Sequence, residues 1–412
     1  MAKVERQLGK TLALLAFLLV GLTSACDDDG PNVPEPPVEP PLDPNLVAQG
    51  KEIFRFDTFG DETFWTDTLR MHEVIASAVD PTTALAVGLK VDAEALPAEV
   101  VQGIQDGTIS LTSPATTIAL LKLNAVVGVQ GTVETQNGQD VLTRVGITCA
   151  LCHSTVDNSF AAGIGKRLDG WPNADLDPGA IIALSPALTP EQKAVYSSWG
   201  PGLYDPRFNL DGINGPVVIP PAYGLLGVHS IIYTGDGEDI AYWNRYVGIT
   251  QMHGHGSFTE PRTGVDVQNP PDMISSKLPA LQEYQLSLPA PEPPPGSFDA
   301  AAAERGEEVF NGAGECAVCH TGNLLTDANE RLHAPAEVVS EPEPSGVPSW
   351  ASRSATKMYR TTPLRGLLAH PPYFHNGIAT TLEEVVELYD TKKALDLTPE
   401  QKADLVEYLK SL

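Results

Sequence analysis

Two short motifs constrain this chain more than any other feature. Cys149-Ala150-Leu151-Cys152-His153 recurs in kind as Cys316-Ala317-Val318-Cys319-His320. Thiols three positions apart can each bond one vinyl group of a porphyrin, and the adjoining histidine then reaches the iron. The spacing predicts two covalently bound c-type haems. Cys149, Cys152, Cys316 and Cys319 are the attachment points, and His153 and His320 the proximal ligands. A thioredoxin-like redox pair would not need a following histidine twice, and zinc held by four thiolates would have to join motifs in separate predicted domains.

The rest of the cysteine count agrees. Of five cysteines only Cys26 lies outside the motifs, so none is left for a structural disulfide. With 36 glycines and 36 prolines in 412 residues, the chain reads as globular and loop-rich. Its 53 acidic against 26 basic residues, a net charge of −27, repel phosphate backbones and exclude nucleic acid as a partner. The same field suits a basic protein partner, or simply keeps an exported protein soluble.

Residues 1–26 read as a signal peptide. Lys3, Arg6 and Lys10 precede an apolar run, and Leu22-Thr23-Ser24-Ala25-Cys26 resembles a bacterial lipoprotein cleavage site. That resemblance implies lipid attachment at Cys26, anchoring to a membrane, and residence in the periplasm or outer cell envelope of a Gram-negative bacterium. The proline-rich stretch 27–45 then reads as an extended tether. A first haem domain is expected over 46–288, a proline linker over 289–296 and a second domain over 297–412. Helical spacing occurs at Leu69 to Ile75, Thr117 to Val127, Thr189 to Ser198 and Ala300 to Phe310. Thr398 and Pro399 start a last helix with Leu405, Tyr408, Leu409 and Leu412 on one face. Terminal helices packed across each other around one haem resemble the class I cytochrome c fold. The expected class is mainly α, two cytochrome c-like haem domains with long loops.

Further motifs narrow this. Tyr359-Arg360-Thr361-Thr362-Pro363-Leu364-Arg365-Gly366, Pro371-Pro372-Tyr373-Phe374-His375-Asn376-Gly377 and Thr381-Leu382-Glu383-Glu384-Val385-Val386 resemble the bacterial di-haem cytochrome c peroxidases and their MauG-type relatives, as a divergent member. The resemblance implies a sixth ligand of the second haem at Tyr389, where the peroxidases carry methionine and MauG a tyrosine. Tyr389 reads equally as a core aromatic of its helix, and Met358 is the rival ligand. At the first haem, Gln251 stands where the peroxidases carry a glutamate, and an amide cannot exchange protons. Distal candidates there are Met252, His253, His255 and His72. The family's aromatic bridge between haems falls near Thr234, with Trp171 and Trp243 as substitutes. A calcium ion at the carbonyls of His370 and Pro372 is also implied. Two functions follow: electron transfer with a small cytochrome or cupredoxin-like donor or, alternatively, reduction of hydrogen peroxide or MauG-like haem oxidation.

Overall fold

A computed structural model describes residues 41–343 and 346–412. The signal peptide, Cys26 and most of the tether lie outside the described residues. The end of the expected tether is corrected: Pro44 and Asn45 form the first turn of a helix, Pro44–Phe56. Asp43 caps it by accepting from the Asn45 amide, and Pro44 fits the first turn because no N–H is needed there.

This helix packs against Leu278–Leu286 at one glycine. A Cβ on Gly50 would come within 2.6 Å of both the Ala280 carbonyl carbon and the Tyr284 Cβ. One turn on, fully buried Phe54 meets Tyr284 edge to face, centroids 5.5 Å apart. The same construction recurs later. Ala300–Asn311 crosses Pro399–Lys410 at Gly306, whose Cβ would stand 2.6 Å from the Asp404 carbonyl carbon and 2.8 Å from the Tyr408 Cβ. Phe310 then meets Tyr408 edge to face at 5.1 Å. Gly50-Lys51-Glu52-Ile53-Phe54 and Gly306-Glu307-Glu308-Val309-Phe310 are thus two copies of one helix-crossing element.

The late pair encloses a core of Val309, Phe310, Leu367, Leu382, Val386, Leu397, Leu405, Val406 and Leu409. Each fully buried aliphatic or phenyl side chain stabilises by roughly 1.5–3 kcal/mol. The last helix is held at its start by a reciprocal cap between Thr398 and Gln401. Pro190–Tyr196 has the same device at Thr189 and Gln192.

Helix exceeds strand, yet strand is present where the apolar spacing suggested none. Five two-stranded ladders occur among the described residues. In the longest, Val129–Gln136 pairs with Gln139–Ile147. Asn137 and Gly138 connect them at φ 53° and 80°, the positive angles a tight hairpin turn requires. Helical periods also end earlier than their spacing suggests. The second helix is Pro114–Lys122, stopped by Asn124 at φ 53°. The first, Met71–Ala78, begins only after Arg70 at φ 56°. No described helix is long and apolar enough to cross a membrane.

An ion-pair network joins segments far apart in the chain. Arg353 donates to Asp205 at 3.0 Å and to Asp211 at 2.8 Å, while Arg207 pairs with Asp236. The guanidiniums of Arg207 and Arg353 lie 5.1 and 5.0 Å from the ring centre of Trp350.

Candidate haem sites

Each Cys-x-x-Cys-His motif sits where two requirements meet: free thiols and an oriented imidazole. The first follows the hairpin, as the short helix Ala150–His153. Gly128 allows this close approach, since a Cβ there would run into the backbone of Leu151. Cys149 and Cys152 are unpaired. Burial pushes both thiols up to about 12, the reverse of an activated redox cysteine. His153 lies with Nδ1 3.1 Å from the Pro220 carbonyl. A donated Nδ1–H fixes the tautomer and leaves Nε2 bare for a metal. Burial lowers His153 to about 4, so the ring is neutral at physiological pH, as a ligand must be.

The second motif repeats this chemistry. His320 Nδ1 stands 2.9 Å from the Leu325 carbonyl, and burial lowers its pKa. Cys316 and Cys319 are unpaired, with Cys316 pushed up to about 12 by burial. The Phe310 ring lies 6.3 Å from His320, which ties the helix crossing to the motif.

A cavity of about 600 Å³ opens on the first motif, lined by Cys149, Cys152 and His153 and otherwise mostly by apolar side chains. Cofactor pockets run ~300–1,000 Å³. The free thiols, the bare neutral imidazole and the apolar walls fit a covalently held haem.

Of the four distal candidates, the structure brings two to this cavity: Met252 and His253. His253 stacks on Phe64 with centroids 3.6 Å apart, and takes φ 64° to do so. Its Nε2 is buried and has no partner, and burial lowers the ring to about 4. His255 and His72 are corrected, for neither lines the cavity. His255 spends Nδ1 near the Pro270 carbonyl at 3.1 Å and Nε2 near Thr63 Oγ1 at 3.4 Å. His72 lies on the Met71–Ala78 helix with a buried, unpartnered Nδ1. Gln251 does line the cavity, but its amide is tied at both ends. Tyr204 donates to Oε1 at 2.9 Å, and Nε2 donates to Thr250 Oγ1 at 2.9 Å. Trp243 lines the cavity and stacks on Tyr246, whereas Trp171 stands off it, 6.1 Å from Tyr223.

Around the second motif, Tyr389 projects from the helix Leu382–Lys393 and is half-buried. Its hydroxyl has no hydrogen-bond partner among the described residues. Burial raises its pKa, and the neighbouring Cys316 and Cys319 raise it further, so the phenol is protonated. Its ring lies 6.0 Å from Phe374. Met358 is half-buried in the loop before Tyr359 and does not line the first cavity.

One cluster had no signal in the sequence. His375 is 3% exposed and bonds Glu343 through Nε2. Glu341 accepts from Ser349 at 2.6 Å and from the Tyr359 hydroxyl. Glu341, Glu343 and His375 thus converge. The carboxylates come from an irregular proline-rich loop whose path no periodicity describes.

The cytochrome c family model matches residues 303–412. The cytochrome-c peroxidase IdrP2 of Denitromonas iodatirespirans is 30% identical over 150 residues, 28% of this chain and 41% of that protein. The cytochrome c551 peroxidase of Pseudomonas aeruginosa is 26% identical over 152 residues, 32% of this chain and 42% of that protein. The chain thus spans about two fifths of the length of these relatives. Among solved structures, a MauG-like protein associated with microbial copper homeostasis aligns over 48% of this chain and 73% of its own. It has a TM-score of 0.33 and 19% identity. Residues 303–412 therefore form a cytochrome c domain, and the chain is a divergent relative of the bacterial cytochrome c peroxidases.

Proposed function

We propose that this chain is an exported di-haem c-type cytochrome that transfers electrons between redox partners. The observation that carries this reading is His253. Its buried, unpartnered Nε2 belongs to a residue lining the same cavity as His153, so the cavity offers two imidazole nitrogens. A covalently held haem supplies a one-electron iron couple when bound. Everything else is work of the chain. Pro220 orients His153, stacking on Phe64 holds His253, and Met252 is the rival donor on the same wall. With His153 and His253 both engaged, a haem held here would offer no place for peroxide. Gln251, locked between Tyr204 and Thr250, adds no proton-transfer group.

Two haem domains, over 46–288 and 297–412, are part of the proposal. The repeated glycine crossing at Gly50 and Gly306 supports them, because each copy lies beside one motif's domain. In the second, Tyr389 is the proposed sixth ligand, and its phenol oxygen would bind as the anion, with the proton released to solvent. An anionic oxygen favours ferric iron and lowers the potential. A calcium ion at the carbonyls of His370 and Pro372 belongs to the same reading. So do a lipid on Cys26, residence in the periplasm or outer envelope, and a small cytochrome or cupredoxin-like donor.

The second reading is peroxide reduction at the first haem. It is favoured by the relatives' own names and by His253, which is neutral at physiological pH and could accept a proton beside an open iron. Paramagnetic resonance of the oxidised protein, with stopped-flow addition of peroxide, tests both. Two low-spin haems, inert to peroxide even when half-reduced, are expected for electron transfer. A high-spin ferric signal with rapid peroxide consumption overturns that reading in favour of the enzyme.

A further inference from the structure

The first cavity is lined mostly by apolar side chains, and the end formed by Trp350 and Arg360 holds two buried N–H donors with nothing to bond. Trp350 is 3% exposed and lines the cavity, yet its Nε1 has no partner. Arg360 lines the same cavity, and its Nε is likewise buried without a partner. The guanidinium's bond to a side of the protein is a single 3.3 Å contact from Nη1 to the Ser230 carbonyl. No carboxylate pairs with it among the described residues. Val217 and Tyr233 complete this end, and both pack in one apolar cluster with Trp350.

An orphaned buried donor has lost its hydration with nothing in return, and a charged one has lost more. A buried guanidinium without a counter-ion is the costliest of these arrangements. Burial lowers Arg360 to about 10 against a smaller opposing effect of Tyr233, yet it stays charged at physiological pH. The other arginines nearby are already matched. Arg207 pairs with Asp236, and Arg353 with Asp205 and Asp211. These two guanidiniums lie 5.1 and 5.0 Å from the centre of the Trp350 ring and hold it by cation–π contact. The arrangement asks for a ligand that is apolar over most of its surface and carries carboxylate at one edge.

We propose that Arg360 and Trp350 form a carboxylate-binding end of the first cavity, which takes the propionate groups of the porphyrin attached at Cys149 and Cys152. The proposal rests on the haem reading above. Arg360 neutralises the propionate through Nε–H, and Trp350 Nε1–H donates a second bond. Together they would fix how a porphyrin attached at Cys149 and Cys152 is oriented in the cavity. The positive charge also favours the reduced state of the iron, so this end acts on the potential without touching the metal.

The test uses the whole chain with haem attached, comparing Arg360→Gln, Arg360→Lys and Trp350→Phe. Haem is first counted by the pyridine haemochrome absorbance per polypeptide. Potentials are then taken from a titration followed by paramagnetic resonance, and propionate bending bands from resonance Raman spectra. With two haems per chain, Arg360→Gln is expected to lower one potential and shift one haem's propionate bands. Arg360→Lys restores most of the potential, and Trp350→Phe, which keeps the ring, moves the bands alone. Two haems with unchanged potentials and bands in Arg360→Gln and Trp350→Phe would overturn the carboxylate-binding end while leaving the haem reading intact. One haem per chain, lost at Cys149 and Cys152, would overturn both, and the count alone separates the two failures. If Arg360→Gln does not fold, Trp350→Phe still decides, through the Raman bands.

Discussion

Replacing Gly306 with alanine sets two known effects against each other. Alanine favours a helix interior over glycine by ~0.8–1.0 kcal/mol, so propensity alone predicts a more stable protein. The crossing predicts the opposite. A Cβ at 306 would sit 2.6 Å from the Asp404 carbonyl carbon and 2.8 Å from the Tyr408 Cβ, closer still to the Asp404 oxygen. Two of these neighbours are backbone, which cannot rotate away, so the helices must part. Overpacking costs typically 1–3 kcal/mol and occasionally more. Parting also loosens Phe310 against Tyr408 and its contact with His320. The net expectation is destabilisation of about 1–3 kcal/mol, a fall in Tm of several degrees for a domain of this size. Scanning calorimetry of the variant and the parent protein measures it. Gly50→Ala, against Ala280 and Tyr284, should behave the same way in the other half. An unchanged or raised Tm for both variants would refute the close-crossing argument.

Other consequences are equally direct. Tyr389→Phe removes the unpartnered hydroxyl and keeps the ring against Phe374, so the potential of one haem should rise and its ferric spectrum change. Unchanged spectra of both haems would reduce Tyr389 to a packing residue. Burial lowers His370 from 6.5 to about 4, so the unfolded chain takes up this proton first as pH falls. Folding carries no penalty from this group above pH ~6.5, and one that grows to about 3 kcal/mol as pH falls from there to ~4. Urea denaturation across that range should show a flatter dependence in His370→Asn. Arg353→Ala leaves Asp205 buried without its partner and should cost ~3–5 kcal/mol, read as a lower urea midpoint. A cost below 1 kcal/mol would mean that the network is replaceable.

Local chemistry made the strongest features legible in the sequence. Cys-x-x-Cys-His is contiguous, so its reading needs no knowledge of the fold. The same holds for Thr398 with Pro399 and for Thr189 with Pro190, where a cap acts within one turn. The Asn137-Gly138 turn is equally local, but it is a signal of turn residues and not of apolar spacing. Distal candidates were another matter. His72, Met252, His253 and His255 are alike as sequence. Only packing showed that the Phe64 ring turns His253 to the cavity while Pro270 and Thr63 occupy His255.

The tertiary structure alone joined Trp350 and Arg360 to a cavity whose thiols lie some two hundred positions earlier in the chain. It also showed Gln251 tied to Tyr204 and Thr250, and Glu341 and Glu343 gathered at His375. The physical reason is one of range. Covalent attachment and helix capping act between neighbours along the chain. Desolvation and unmet hydrogen bonds depend on what the fold places around a group. For this protein the sequence determined where paired thiols and adjoining imidazoles suited to haem lie; the fold decided what faces them.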